Sequence, residues 1–495
     1  MKLPARIKQA ALKDDIVLQP HQKQIEDLVD EDDPLRIMLI HSLGSGKSLS
    51  GIAAAERYGK PYTAIAPAAL RKNYEGEIAK FTDQKTPADV VSYSALGNKK
   101  PIPNTGTVIF DEAHRLRNPG SAQAREAIQL AQKAKQLVLL TGTPIVNRPG
   151  DLAVPVSMIT GKNVSPEEFE SRYVTTRPKY PSTLRWLLRW PSGREMAINH
   201  EDELRNLLKG KIDWYDPGKS VVPTTSEDIH VDMGDEQSRL YQAMWDKLPW
   251  YIKWKLKNDA DLDSDDLKKT LSFLTGPRQV GLSIYPYMKN KDPYRAFKSS
   301  TKLNAAMAKL KESLKDDRTK ALVFANYIDA GLTPYAAALA KEKIPHGVFH
   351  GGLTDQERKQ LVEDYNNNKI KVALLGPSGT EGLSFKGTQL VQLLDPHWNP
   401  VRPRQAVGRG LRYDSHFGLP DDLQNVKIQR FISRLPLGTV DKMLGRIGFD
   451  RSSHGAATDD HLTRLSREKE QFNQKFVELL RQIGSEKKKK DEEIE

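Results

Sequence analysis

The stretch Arg36–Gly51, RIMLIHSLGSGKSLSG, constrains the fold of this chain more than any other. Ile37 to Ile40 is an apolar run long enough for a buried strand and too short for a helix. Gly44, Ser45, Gly46, Lys47 and Ser48 follow at once, and the segment after them can continue as a helix. A strand, a glycine-rich turn and a helix start, in that order, are the context that a phosphate-binding loop requires. Glycines let the backbone approach a phosphate and turn its N–H groups inward, while the helix N-terminus adds partial positive charge. Lys47 is then placed to reach the β- and γ-phosphates of a nucleotide, and the Ser48 hydroxyl to hold Mg²⁺. A strand-to-helix turn that needs glycine for its geometry alone has the same outline, so partners elsewhere must decide. One departure stands out: the usual spacing of such loops asks for glycine where this chain has His41.

The partners come at the ends of later strands. Thr107–Phe110 is an apolar strand, and Asp111, Glu112, Ala113 and His114 follow it. Acidic residues at the carboxyl end of a buried strand lie where α/β sheets bind ligands. Asp111 suits Mg²⁺, directly or through water, and Glu112 suits orienting or deprotonating an attacking water. An acidic pair capping a helix is the bland alternative, and the lysine loop upstream weakens it. Further strands read at 61–67, 90–93 and 137–140, separated by helical stretches such as ALRKNYEGEIAKF. That alternation indicates a parallel, doubly wound sheet up to about residue 155. Before the loop, Gln22 lies at a helix start and offers a bidentate amide to adenine, although a surface glutamine there is common.

Residues 156–297 change character: basic and aromatic residues interleave in RPKYPSTLRWLLRWPSGR and WDKLPWYIKWKLK. Such mixtures can grip phosphates and stack on bases, yet tryptophans anchoring a small helical core are the expectation for most of them. Arg185, Trp186, Arg189 and Trp190, flanked by proline and glycine, are the better contact candidates. The acidic stretch 258–266 reads as a solvated loop, since it lacks the glycine and glutamate spacing of a calcium-binding loop. From about 298 to 440 the α/β pattern resumes, with strands at 320–324, 346–349, 371–375 and 390–394. Arg409 and Arg412 sit three apart and share a helix face, an arrangement suited to stabilising charge on a γ-phosphate. Residues 441–495 read as a loop, a long helix with one apolar face, and a charged tail, KKKKDEEIE, expected to be disordered.

At 495 residues, two to four domains are expected. The net charge of +12 favours a polyanionic partner such as nucleic acid. With no cysteine, disulfides, thiolate metal sites and cysteine nucleophiles are excluded. No run reaches the length of a membrane span, and the N-terminus lacks the apolar core of a secretory signal, so an intracellular, cytoplasmic setting is expected, in a host cell or virion if the chain is viral.

Taken in order, the phosphate loop, Asp-Glu-Ala-His, Thr-Gly-Thr-Pro (141–144), Gly-Thr-Glu-Gly (379–382) and Gln-x-x-Gly-Arg-x-x-Arg (405–412) resemble a superfamily-two helicase-type ATPase. LQPHQ, VVSYSAL, DEAHRLRN, TGTPIVNRPGDL, DEQSRLYQAM and LLDPHWNP resemble its Swi/Snf-like branch, whose members translocate on duplex DNA. QAVGRGLRYDSH and the closing helix look closest to viral and phage members. The resemblance implies an α/β fold: two RecA-like parallel-sheet lobes, a helical insertion between them and a C-terminal helical extension. It implies ATP in the cleft between the lobes, with Mg²⁺. Lobe one would supply Gln22, Gly44 to Ser48, Asp111 and Glu112; lobe two would supply Arg409 and Arg412, with Gly382 nearby. Implied nucleic-acid contacts are Pro67, Ser92, His350, Thr380 and Trp398, all gripping the backbone and therefore blind to sequence. Three functions stay open: a double-stranded DNA translocase, a strand-separating DNA or RNA helicase, and an ATPase acting through a transcription or replication partner such as a polymerase. No appended nuclease signature is visible.

Overall fold

The computed structural model describes residues 12–42, 45–98, 101–102, 106–178, 194–216, 222–251, 253, 273–377, 383, 385–395, 415–416, 418–436 and 458–492. The chain divides into two compact units. One comprises Met1–Thr176, Met196–Lys219 and Gln471–Glu495; the other comprises Arg177–Glu195 and Ser220–Glu470.

In the first unit the expected apolar runs form β1 (Arg36–His41), β2 (Tyr62–Ala66), β3 (Ala88–Ser92), β4 (Thr107–Asp111) and β5 (Gln136–Thr141). After a ribbon of β6 (Val174–Pro178) and β7 (Arg194–Ile198) comes β8 (Ile212–Tyr215). The sheet order is β3-β2-β4-β5-β1-β8, with every pair parallel. Parallel strands are covered on both faces, which is why they read as unbroken apolar runs rather than alternating ones. On one face Met38, Ile40, Val108, Phe110 and Leu139 enter one core cluster. On the other, Ile37, Leu39, Ile109, Val138 and Leu140 enter a second.

The second unit repeats the scheme with β9 (Thr224–Asp232), β10 (Ala321–Phe324), β11 (His346–Phe349), β12 (Val372–Leu375), β13 (Leu390–Leu393) and β14 (Val426–Arg434). Its order is β11-β12-β10-β13-β14-β9, again all parallel. Two six-stranded parallel sheets flanked by helices match the α/β fold expected from sequence.

Three features differ from the sequence reading. The stretch 156–297, read as a mostly helical insertion, also holds the edge strands β8 and β9. β9 is half-exposed and polar (TTSEDIHVD), so it lacks the apolar signal of a central strand. β14 (VKIQRFISR) was not among the expected strands. Finally, the C-terminal helix runs from Thr458 to Glu492, continuing into a tail expected to be disordered; lysine and glutamate are good helix formers. Its apolar face turns to the body as its spacing indicates, with Phe472, Phe476, Leu479, Leu480 and Ile483 in the first unit's core. Among the described residues no helix is long and apolar enough to cross a membrane.

Candidate active site

In a parallel sheet all carboxyl ends share one edge, so the ends of β1, β4 and β5 meet. Ile40 pairs with Thr141, and Asp111 with Leu140. β1 delivers the chain into the loop, and the helix Lys47–Tyr58 leaves it. Gly46, at the helix N-cap, has φ +75°, a backbone angle that strains any side-chain-bearing residue, and a Cβ there would also have to push the Gln22 amide aside. Gln22 is buried; its Oε1 accepts the Gln19 N–H at 2.9 Å and its Nε2 donates to the Gly46 carbonyl at 3.3 Å. The amide that the sequence offers to a base thus braces the loop here.

Lys47 Nζ lies 2.6 Å from Glu112 Oε1, with both side chains largely buried. Glu112 has φ +54°, a left-handed conformation uncommon for a side-chain-bearing residue and held at the sharp turn after β4. Burial pushes its carboxyl up, but Lys47 and His114 together hold it well below the usual carboxylate range. Glu112 is therefore anionic. The His114 Nδ1 lies 3.3 Å from Glu112 Oε2, 3.3 Å from Thr141 Oγ1 and 3.4 Å from Thr143 Oγ1, which ties the acidic turn to the end of β5.

Asp111 behaves differently. Burial raises its carboxyl to about 6 even though the Lys47 charge opposes the shift. Its Oδ1 is buried with no hydrogen-bond partner, and the same is true of Ser42 Oγ and Ser45 Oγ. Buried polar atoms are nearly always satisfied, and each exception calls for a reason. An open carboxylate oxygen and two open hydroxyls around a glycine turn, at a helix N-terminus, fit a bound phosphate with a cation. Among the described residues no group of three or more His, Asp or Glu side chains is placed to hold a metal alone. Such a site suits Mg²⁺, which keeps waters and takes one or two protein oxygens plus those of the phosphates.

The other expected residues divide by location. Ser48 is in the first turn of the loop's helix. Pro67 follows β2 and Ser92 ends β3 on this same edge; Ser92 Oγ accepts the Ala95 N–H at 3.2 Å, capping a short helix. His350 follows β11 in the second unit, and its Nδ1 accepts the Gly352 N–H at 3.1 Å. Gly44, Arg185, Trp186, Arg189, Trp190, Thr380, Gly382, Trp398, Arg409 and Arg412 lie outside the described residues. Of the other tryptophans, Trp214 and Trp245 pack against cores while Trp250 is exposed. Sequence reasoning flagged His41 only as a departure and missed His21, Asp213 and Tyr215, which gather with it behind the loop. The glycine-to-histidine departure at position 41 was their only signal.

The SNF2-related domain family matches residues 78–283, and the helicase conserved C-terminal domain family matches residues 302–414. A protein of Acanthamoeba polyphaga mimivirus named as an ATP-dependent RNA helicase is 26% identical over 480 residues, covering 94% of this chain and 97% of its own length. A second mimivirus protein of the same description is 23% identical, covering 81% and 79%. The Xenopus laevis SWI/SNF-related matrix-associated actin-dependent regulator of chromatin subfamily A-like protein 1 is 22% identical, covering 86% of this chain and 43% of its own length.

Proposed function

The chain belongs to the Swi/Snf-like branch of the superfamily-two helicase-type ATPases and is a nucleic-acid-dependent ATPase, and from that premise we propose that it moves along double-stranded DNA without having to separate the strands. The observation that carries the ATP-driven part is the carboxyl edge of the first sheet. There a lysine–glutamate pair, an open aspartate oxygen and open serine hydroxyls surround one glycine turn. Lys47 would exchange Glu112 for the β- and γ-phosphates, freeing the Glu112 carboxylate to orient and polarise the attacking water. Ser48 and Asp111 would hold Mg²⁺, which when bound neutralises charge on the phosphate oxygens. The duplex preference is supported by the branch, and the net charge of +12 suits a polyanionic track. Binding is expected to weaken steeply with salt and to ignore sequence.

The test is steady-state ATPase with no nucleic acid, single-stranded DNA, blunt duplex DNA and RNA, alongside Glu112→Gln. Strong stimulation by blunt duplex, with kcat lowered at least about a hundredfold in the variant, is expected. A second reading, a strand-separating helicase on DNA or RNA, is favoured by the description of the two mimivirus relatives. Stimulation confined to single strands or RNA, with unwinding of a tailed duplex, would select it.

A further inference from the structure

The short strand β8 has two faces with different partners. Ile212 is part of the first unit's core and Trp214 packs against it, on the side covered by the C-terminal helix. That helix bears directly on the strand: a Cβ added at Gly484 would lie 2.8 Å from both the backbone nitrogen and Cβ of Trp214. Asp213 and Tyr215 face the other way, in register with Leu39 and His41 of β1. His41 is fully buried, with its Nε2 2.7 Å from Asp213 Oδ2. The residue that replaces the usual glycine at the loop's start therefore comes with its own acidic partner on the neighbouring strand.

Tyr215 holds the phosphate loop directly at one end and, through His21, at the other. Its backbone carbonyl accepts the Ser42 N–H at 3.0 Å, at the point where β1 gives way to the loop. Its ring stacks on His21 with centroids 3.5 Å apart and planes 5° from parallel. His21 Nε2 in turn lies 2.9 Å from the Ser45 carbonyl oxygen. A carbonyl can only accept, so this nitrogen carries the proton and donates it. His21 also approaches His41 edge-on at 5.5 Å, which closes the cluster. The loop's entry is thus fixed by strand pairing and its exit by a stacked imidazole.

We propose that His21 and Tyr215 are positioning residues for nucleotide binding: the stacked pair sets the direction of the Ser45 carbonyl, and with it the inward aim of the loop's N–H groups. The mechanism is local. A peptide unit whose carbonyl is held outward presents the following N–H inward, and Ser45 is followed by Gly46, whose φ of +75° needs that plane fixed. Neither residue touches the reacting atoms, so the pair acts on nucleotide affinity and leaves the chemical step to Lys47, Asp111 and Glu112.

This inference rests on the nucleotide reading of the loop, and the experiment separates the two. Equilibrium binding of a fluorescent ATP analogue and steady-state ATPase with nucleic acid are measured on the full chain and on His21→Ala, Tyr215→Ala, Tyr215→Phe and the double alanine variant. Both single alanine variants are expected to raise Kd and the KM for ATP about three- to tenfold, the scale of one lost aromatic stack. At saturating ATP, kcat should stay within about twofold, because the interaction serves ground state and transition state alike. Tyr215→Phe, which keeps the ring, should recover most of the affinity. The double variant should be little worse than the worse single, since both remove one interaction. A His21→Ala protein that melts like the wild type and binds the analogue equally well overturns the proposal, as does simple additivity in the double variant. His21 lies outside the sheet, so the His21→Ala result decides the matter even where Tyr215→Ala fails to fold. A wild type that binds no analogue overturns the nucleotide reading itself, and this inference with it.

Discussion

Asp111 in the first unit is 5% exposed and keeps one carboxylate oxygen without a partner, whereas Asp459 in the second unit is 2% exposed and gathers two donors on one oxygen. Asp459 Oδ2 takes the Lys302 ammonium at 2.6 Å and the Ser433 N–H at 3.0 Å. Asp395, equally buried, accepts the Asn326 N–H at 2.8 Å and the Asn326 amide at 3.0 Å, with Arg278 3.5 Å away. Both sheets are parallel, six-stranded and apolar on both faces, yet they treat buried charge in opposite ways. In the second unit buried acids are filled from within and serve as braces. At the carboxyl edge of the first, valences stay open, which costs stability unless something outside the chain fills them. Glu56, also buried with an open Oε2, sits near the far end of the loop's helix, so an unfilled valence points to a ligand only where others gather with it beside the glycine turn.

Asp111→Asn puts the largest strain on that contrast. Replacing a reserved acid should lower kcat at least about a hundredfold. It also removes a charge that burial disfavours, so the melting temperature should stay level or rise. A clear fall in melting temperature would place Asp111 with the braces and break the comparison. On the other side, Asp459→Ala strands the Lys302 ammonium, whose side chain is 1% exposed, in the core. The expected cost is about 3–5 kcal/mol in urea unfolding, while ATPase per folded molecule is kept. A loss of turnover without a loss of stability would turn Asp459 into a functional acid.

The sequence made one side of this contrast far more legible than the other. Lys47, Asp111 and Glu112 were readable because each ends or follows an unbroken apolar strand, and those runs sit within a residue or two of β1, β4 and β5. Lys302 and Asp459 were not, because they are 157 residues apart and nothing local marks either as buried. The same blindness hid β8: IDWY is four residues long and interrupted by an aspartate. That aspartate looks like a break until His41 is placed opposite it. Edge strands and buried ion pairs are specified by what they pack against, and a linear reading does not hold that information. The helical face at Phe472, Phe476, Leu479 and Leu480 was visible as a period, but not the core it enters.

Lys320 sharpens the comparison from the second unit, where it is the buried charge that no carboxylate pairs with among the described residues. It is 5% exposed, donates to the Tyr365 carbonyl at 3.1 Å, and sits 4.7 Å above the Tyr365 ring. Burial, with the Lys371 charge adding to it, lowers its ammonium from 10.5 to about 8. The sign of the consequence follows from proton counting. Between about pH 8 and 10.5 the unfolded chain binds more protons at this site than the folded one, so stability rises with pH across that window. Below pH 8 the folded state carries the whole cost of the buried charge, and that cost no longer changes. Lys320→Met removes the cost together with the cation–π contact, which returns roughly 0.5–2 kcal/mol. The variant should therefore be more stable than the wild type at pH 7 by about 1 kcal/mol. That advantage should shrink, then vanish or reverse, as pH approaches 10, read by urea unfolding at both ends. A difference flat in pH would mean that the amine titrates alike in the folded and unfolded chain, as a solvated ammonium does, and that no costly buried charge stands here. A difference that closes with pH would show an ammonium buried at a cost, its charge met by a carbonyl and a ring from within the unit rather than left open as at the carboxyl edge of the first sheet.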